Sequence, residues 1–130
     1  MKRRNFLTLT TFSVAVISVP FLYCRNSSAD LEKTLTIPQT LSQITDENSI
    51  KEIGKVYGKL YPDEYSRNLL EQNLTNNGVQ SVSAGSQAKD IYSFLDNNIL
   101  EDFKSGNSMV LNGWVLSRTE ARQCALLSLY

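Results

Sequence analysis

Histidine is absent from the 130 residues. That absence removes the commonest general base and the commonest zinc ligand, and with them serine-hydrolase triads, His-metal clusters and imidazole proton shuttles. Cysteine occurs only at Cys24 and Cys124, without C-x-x-C spacing. A thiolate zinc knuckle, an iron-sulfur cluster and a thioredoxin motif are thereby excluded. Gly-rich phosphate loops and the dinucleotide fingerprint are also missing. No metal, no cofactor and no catalytic residue is expected, and the length allows a single domain.

Charge is balanced at 13 Lys+Arg against 13 Asp+Glu, but it is unevenly placed. Lys2, Arg3, Arg4 and Arg25 meet no acid within residues 1–29, so all thirteen acids face the other nine bases. The resulting mildly acidic body has no basic stripe, which makes nucleic acid and anionic lipid poor partners for it. The N-terminal segment is a different object. After Met1 to Leu7 the chain runs uncharged to Tyr23, rich in Val, Ile, Phe and Leu but diluted with Thr and Ser. This is the layout of an export signal. The apolar stretch of about 18 residues is near the lower limit of ~17 for a spanning helix. Pro20 interrupts it, so it can engage a bilayer but is a mediocre permanent anchor.

Arg3 and Arg4, followed by Asn5, Phe6 and Leu7, resemble the twin-arginine translocation signal, Arg-Arg-x-Phe-Leu before a modestly apolar core. Lys2 stands where that pattern has Ser or Thr. The resemblance implies recognition by the twin-arginine translocase and a location in the periplasm or on the periplasmic face of the inner membrane. The alternative is an ordinary secretory leader that happens to carry two arginines. Downstream, Ser27 and Ala29 are small residues at −3 and −1 of a cleavage after Ala29. A rival route is lipidation of Cys24, although Tyr23 is bulky for a lipobox, and a third is an uncleaved anchor. Residues 1–29 are therefore read as signal and 30–130 as one domain, touching membrane only through the N-terminal segment.

The body reads as mainly α, a small helical domain with one short β-hairpin near the C-terminus. Residues 30–37 alternate loosely, and a short helix begins at Pro38. Ser49 to Glu52 offers a capping-box pattern ahead of Ile50, Ile53, Val56, Tyr57 and Leu60. Gly54 and Gly58, four apart in that helix, either admit a close partner helix or have no packing role. Pro62 fits the first turn of a further helix with Asp63 and Glu64 on its dipole and Tyr65, Leu69, Leu70 and Leu74 as the apolar face. Asn76 to Gly78 stop it, and Val79 to Gly85 read as a loop. A helix over 86–104 carries Ile91, Phe94, Leu95, Ile99 and Phe103, with Ser105 and Gly106 as its stop. Asn112-Gly113 between two short apolar runs predicts a type I′ hairpin. Ser117 to Glu120 predicts a capping box on a terminal helix that packs through Ala121, Cys124, Ala125 and Leu126 or Leu127.

Little of this body suggests chemistry. Asp63-Glu64 and Glu101-Asp102 are adjacent pairs that a helix splays by about 100°, and they read as solvated faces. Glu120 reads as a cap, Arg122 as the partner of an acid elsewhere, Cys124 as a buried thiol and Trp114 as a core anchor. Trp114, Arg118 and Arg122 together form the candidate partner interface.

The run Asn112 to Leu126, with Tyr57, Pro62, Glu64 and the doublet Arg3-Arg4, resembles small bacterial twin-arginine-signal proteins. Among these it is similar to the small subunits of membrane-associated flavin-dependent dehydrogenases of sugars and sugar alcohols, of the sorbitol, fructose and gluconate type. The resemblance implies a non-catalytic accessory subunit that carries the export address for a larger, flavin-holding subunit lacking one. A stand-alone periplasmic or lipid-anchored helical module is the alternative. A reporter fused behind residues 1–29 should reach the periplasm only in cells that possess the folded-protein translocase. Periplasmic reporter in cells lacking it would refute the reading of the doublet.

Overall fold

The computed structural model describes residues 27–130. Arg3, Arg4, Phe6, Leu7 and Cys24 lie outside the described residues, and of Ala29 only the backbone is described. Six helices and one hairpin follow in order: α1 Ser27–Thr36, α2 Gln39–Ser42, α3 Glu47–Leu60, α4 Arg67–Thr75, α5 Ala88–Ser105, β1 Ser108–Leu111, β2 Trp114–Ser117 and α6 Arg118–Ser128. The mainly α architecture with a C-terminal hairpin is the one the sequence predicts.

Helix α6 is the central element. Its N-terminus is closed by a complete capping box, in which Ser117 Oγ accepts from the Glu120 amide and Glu120 returns a carboxylate oxygen to the Ser117 amide. Ala121, Cys124, Ala125 and Leu126 are fully buried around it, joined by Leu127. Helices α3, α4, α5 and α1 all pack on it. The core also takes in Leu35, Leu41, Ile50, Ile53, Tyr57, Leu70, Leu74, Ile91, Phe94 and Leu95, and the hairpin adds Leu111 and Leu116. Asn112 and Gly113 both adopt positive φ, at 51° and 82°, which is the type I′ geometry that matches the twist of the strands.

Gly54 decides how close α3 comes to α6. A Cβ there would overlap the Cys124 carbonyl oxygen and lie 2.8 Å from the Ala125 amide nitrogen. The two backbones touch, so of the two readings of this glycine the packing one holds. Gly58 serves a different purpose, because the ring of Tyr65 occupies the space a Cβ would need.

Several local expectations require correction. Residues 30–37 do not alternate as extended chain. Residues 30–36 complete α1, with Thr34, Leu35 and Thr36 buried and the Gln123 amide donating to the Thr34 carbonyl at 3.4 Å. Helix α3 begins before Ser49, because Asp46 is the N-cap and accepts from the Ser49 amide at 3.0 Å. Pro62 does not open a helix. Residues 62–64 form a turn, and α4 starts later on the Ser66 cap. Leu60, Leu69 and Phe103 are exposed rather than core, so the apolar stripes end earlier than their spacing suggests.

Gly54→Ala is expected to force α3 off α6 and to cost about 1–3 kcal/mol, the usual range for overpacking a tight contact. Thermal unfolding should then shift down by about 4–8 °C per kcal/mol for a domain of this size. Gly78→Ala, which meets nothing within 4 Å but sits at φ +87°, is the comparison that separates steric overlap from backbone strain.

Candidate functional site: a carboxylate held between two helices

The turn after α3 places Glu64 in the angle between α3 and α6, where three donors converge on one carboxylate. Tyr57, fully buried on α3, donates its hydroxyl to Glu64 Oε1 at 2.8 Å. Arg118, at the start of α6, donates to Oε2 at 3.0 Å, and Arg122, one turn on, donates its Nε to Oε1. The two arginines are spaced four apart and so project from the same face of the helix. The Arg118 guanidinium also lies 4.8 Å from the centre of the Tyr61 ring, and that ring packs 4.8 Å from Tyr57.

The electrostatics follow from this geometry. Burial alone would raise the Glu64 carboxyl, but the hydrogen bonds from Arg122, Tyr57 and Arg118 outweigh it and hold the group down at about 2. Burial and the bond to Glu64 push the Tyr57 hydroxyl up to about 12. Glu64 is therefore anionic and Tyr57 neutral across the physiological range. A carboxylate that accepts from Tyr57, Arg118 and Arg122 and titrates far below neutrality is a structural tie and a poor general acid or base.

A second carboxylate, Asp102, performs a related task. One oxygen accepts from both the Thr119 amide at 2.8 Å and the Thr119 hydroxyl at 2.7 Å, at the N-terminal end of α6. The other accepts from Asn107 at 3.3 Å. Glu64 and Asp102 are thus not solvated faces, as the sequence suggests, whereas their neighbours Asp63 and Glu101 are exposed. Adjacent acids point apart, and one member of each pair is drawn inward. Cys124 is buried as expected, its thiol pushed up to about 12 by burial and by the charge of Glu120, which leaves it inert as a nucleophile.

Two clefts flank this framework. One, of about 380 Å³, is lined by Asn73, Asn76, Asn98, Glu101, Thr119 and Arg122 among others. Its lining side chains are polar except for Val79. The other, shallow and wider, brings Trp114 and Ile53 together under Asn48, Ser49, Glu52 and Asn112. Trp114 is half-buried and packs on the core from one side while its other side faces this cleft. The three residues of the expected interface are therefore divided: Trp114 opens beside α3, whereas Arg118 and Arg122 are committed to Glu64. The acid that Arg122 meets was foreseeable as a type but not as a residue, since 58 positions separate the pair.

Among the described residues no group of three or more His, Cys, Asp or Glu is placed to hold a metal ion. Nor is any helix there long and apolar enough to cross a membrane. Comparison with family models, with characterised proteins and with solved structures finds no match to the chain.

Removing the charge by Glu64→Gln should leave Arg118 and Arg122 without a counter-ion and cost about 1.5–3 kcal/mol, the range for hydrogen bonds to a charged group. Because folding lowers this carboxyl from 4.5 to about 2, the unfolded chain takes up the proton first as pH falls. Its stabilising contribution is complete above pH 4.5 and declines between there and 2. Urea unfolding at stepped pH should show that acid limb in the native chain and a shallower one in Glu64→Gln.

Proposed function

We propose that the chain is an exported, non-catalytic accessory subunit that binds a larger cofactor-bearing oxidoreductase and supplies its export address. The observation that carries the proposal is that the partly buried ionic cluster around Glu64 is taken up by contacts within the body. Glu64 is saturated by Tyr57, Arg118 and Arg122, so the most distinctive polar residues of the body are spent on holding α3 to α6. What remains open is a surface suited to contact. The cleft exposes part of the Trp114 ring among Asn48, Ser49, Glu52 and Asn112, beside the buried Ile53, and a partly exposed tryptophan within a polar surround suits a protein-interface centre.

The leader supports the same reading. A translocase that accepts folded cargo suits proteins whose cofactor is inserted before export, and one address serves a stable heterodimer. A body of about 100 residues around one core has little room for an enclosed active site of its own. A partner that holds the cofactor, of the flavin-dependent dehydrogenase type that the chain resembles, would account for the need to travel folded.

Co-expression of the full chain with a flavoprotein that lacks a signal and is encoded beside it should yield one complex in size-exclusion chromatography. Arg3→Lys with Arg4→Lys should retain both proteins in the cytoplasm. Trp114→Ala should release the flavoprotein while leaving the cooperative unfolding of the body intact. If the chain elutes alone and export of the flavoprotein is indifferent to the arginine doublet, the escort role is wrong and the stand-alone module takes its place.

A further inference from the structure

The Ala29 processing site lies inside a helix whose far end is locked into the core. Ser27, Ser28 and Ala29, the −3 to −1 residues, form the first turn of α1. Leu31, two residues beyond the scissile bond, packs against the core, and Thr34, Leu35 and Thr36 are buried. The docking is reinforced by polar contacts on both sides. The Gln123 side chain of α6 donates to the Thr34 carbonyl, and Glu32 pairs with Arg67 of α4 at 3.4 Å. Helix geometry further ties the Lys33 amide to the Ala29 carbonyl.

A leader peptidase reads its site as extended chain at the membrane surface. Even fully extended, the residues between Ala29 and Thr34 span only roughly 17 Å, which is comparable with the ~13 Å radius of gyration of a folded domain of this size. Reaching the scissile bond therefore requires unwinding the first turns of α1 and pulling Leu31 from its contacts, against a body standing at the mouth of the enzyme. We propose that α1 guards the Ala29 site once the body has folded, so that folded export delivers a protein still joined to its N-terminal segment and held at the membrane face. The consequence in the cell rests on the folded-export reading above, whereas the guarding itself is a property of the purified chain. Processing at Cys24, which precedes α1, would not meet this obstruction.

The test uses the full chain purified in detergent micelles, incubated with a bacterial leader peptidase and followed by intact mass. Lys33→Pro removes the amide that closes the first turns and disfavours helix at Glu32, while the Lys33 side chain is exposed and leaves the core alone. Leu35→Ala undocks the helix from the other end. Both variants are first shown to unfold cooperatively by circular dichroism, which establishes that α2 to α6 remain assembled. Cleavage to a product beginning at Asp30 is expected to be slow in the native chain and at least about tenfold faster in both variants, since access tracks the opening of the helix. Equal rates in native and variant chains would overturn the proposal. So would resistance of all three, because the site would then be spared for reasons unrelated to α1. Neither outcome depends on the translocase or the flavoprotein, so failure here leaves the escort reading standing, and failure of the escort leaves this result intact.

Discussion

The contact between the backbones of α3 and α6 at Gly54 and Cys124 is the constraint on which the rest of the molecule depends. With α3 seated directly on the Cys124 carbonyl, Tyr57, one turn further along α3, comes within reach of the carboxylate in the turn that follows. That turn in turn faces Arg118 and Arg122 on α6. A side chain at position 54 would separate the helices, and the donors would no longer converge on Glu64. Close packing here comes before electrostatics: the apolar seam sets the geometry, and the charged cluster then fastens it at one end.

The cluster fastens rather than drives. Burying Glu64 beside two arginines carries a desolvation cost that the ion pairs and the Tyr57 hydroxyl offset, and isosteric apolar replacements of such groups are often no less stable. Its value lies in specificity, since an anion surrounded by donors from α3 and α6 permits one rotational setting of the two helices. Asp102 does the same for α5 and α6 by seating its carboxylate on the Thr119 amide and hydroxyl. Carboxylates thus index α6 against its neighbours from two directions, while Ala121, Cys124 and Ala125 supply a surface small enough for them to approach.

Elements whose determinants are local were legible in the sequence. The hairpin follows from Asn112-Gly113 because the positive φ of a type I′ turn is a property of those two residues, and the α6 capping box follows from Ser117 and Glu120. The Gly106 stop is local in the same way, with its left-handed φ of 76°. The missed features are those fixed by distant partners. Helix α1 has two serines and two threonines among its ten residues, side chains that compete with the backbone for hydrogen bonds, and it is held by α5 and α6 rather than by propensity. Glu64 looked like a dipole-completing residue because nothing within a few positions announces Tyr57, Arg118 or Arg122 as partners. Leu60 and Phe103 fit their helical stripes but stand exposed, because local spacing does not say which part of a stripe the tertiary packing covers.

The same distinction bears on what the protein does. Residues of a small domain that are committed to its own assembly are unavailable for reaction, and here Tyr57, Glu64, Asp102 and Arg118 are each bonded to another part of the chain. Arg122 spends its Nε on Glu64 while its side chain also lines the asparagine-rich cleft. The surface at Trp114 is different, since this large aromatic is only partly buried and lines an open cleft beside the buried Ile53. Leaving apolar area of that kind in water forgoes about 25 cal/mol per Å² of stabilisation. On the proposed accessory role, a partner that covers the cleft would recover that term on binding without disturbing the Glu64 tie, and assembly and recognition would then occupy separate parts of a body that contains little more than one core.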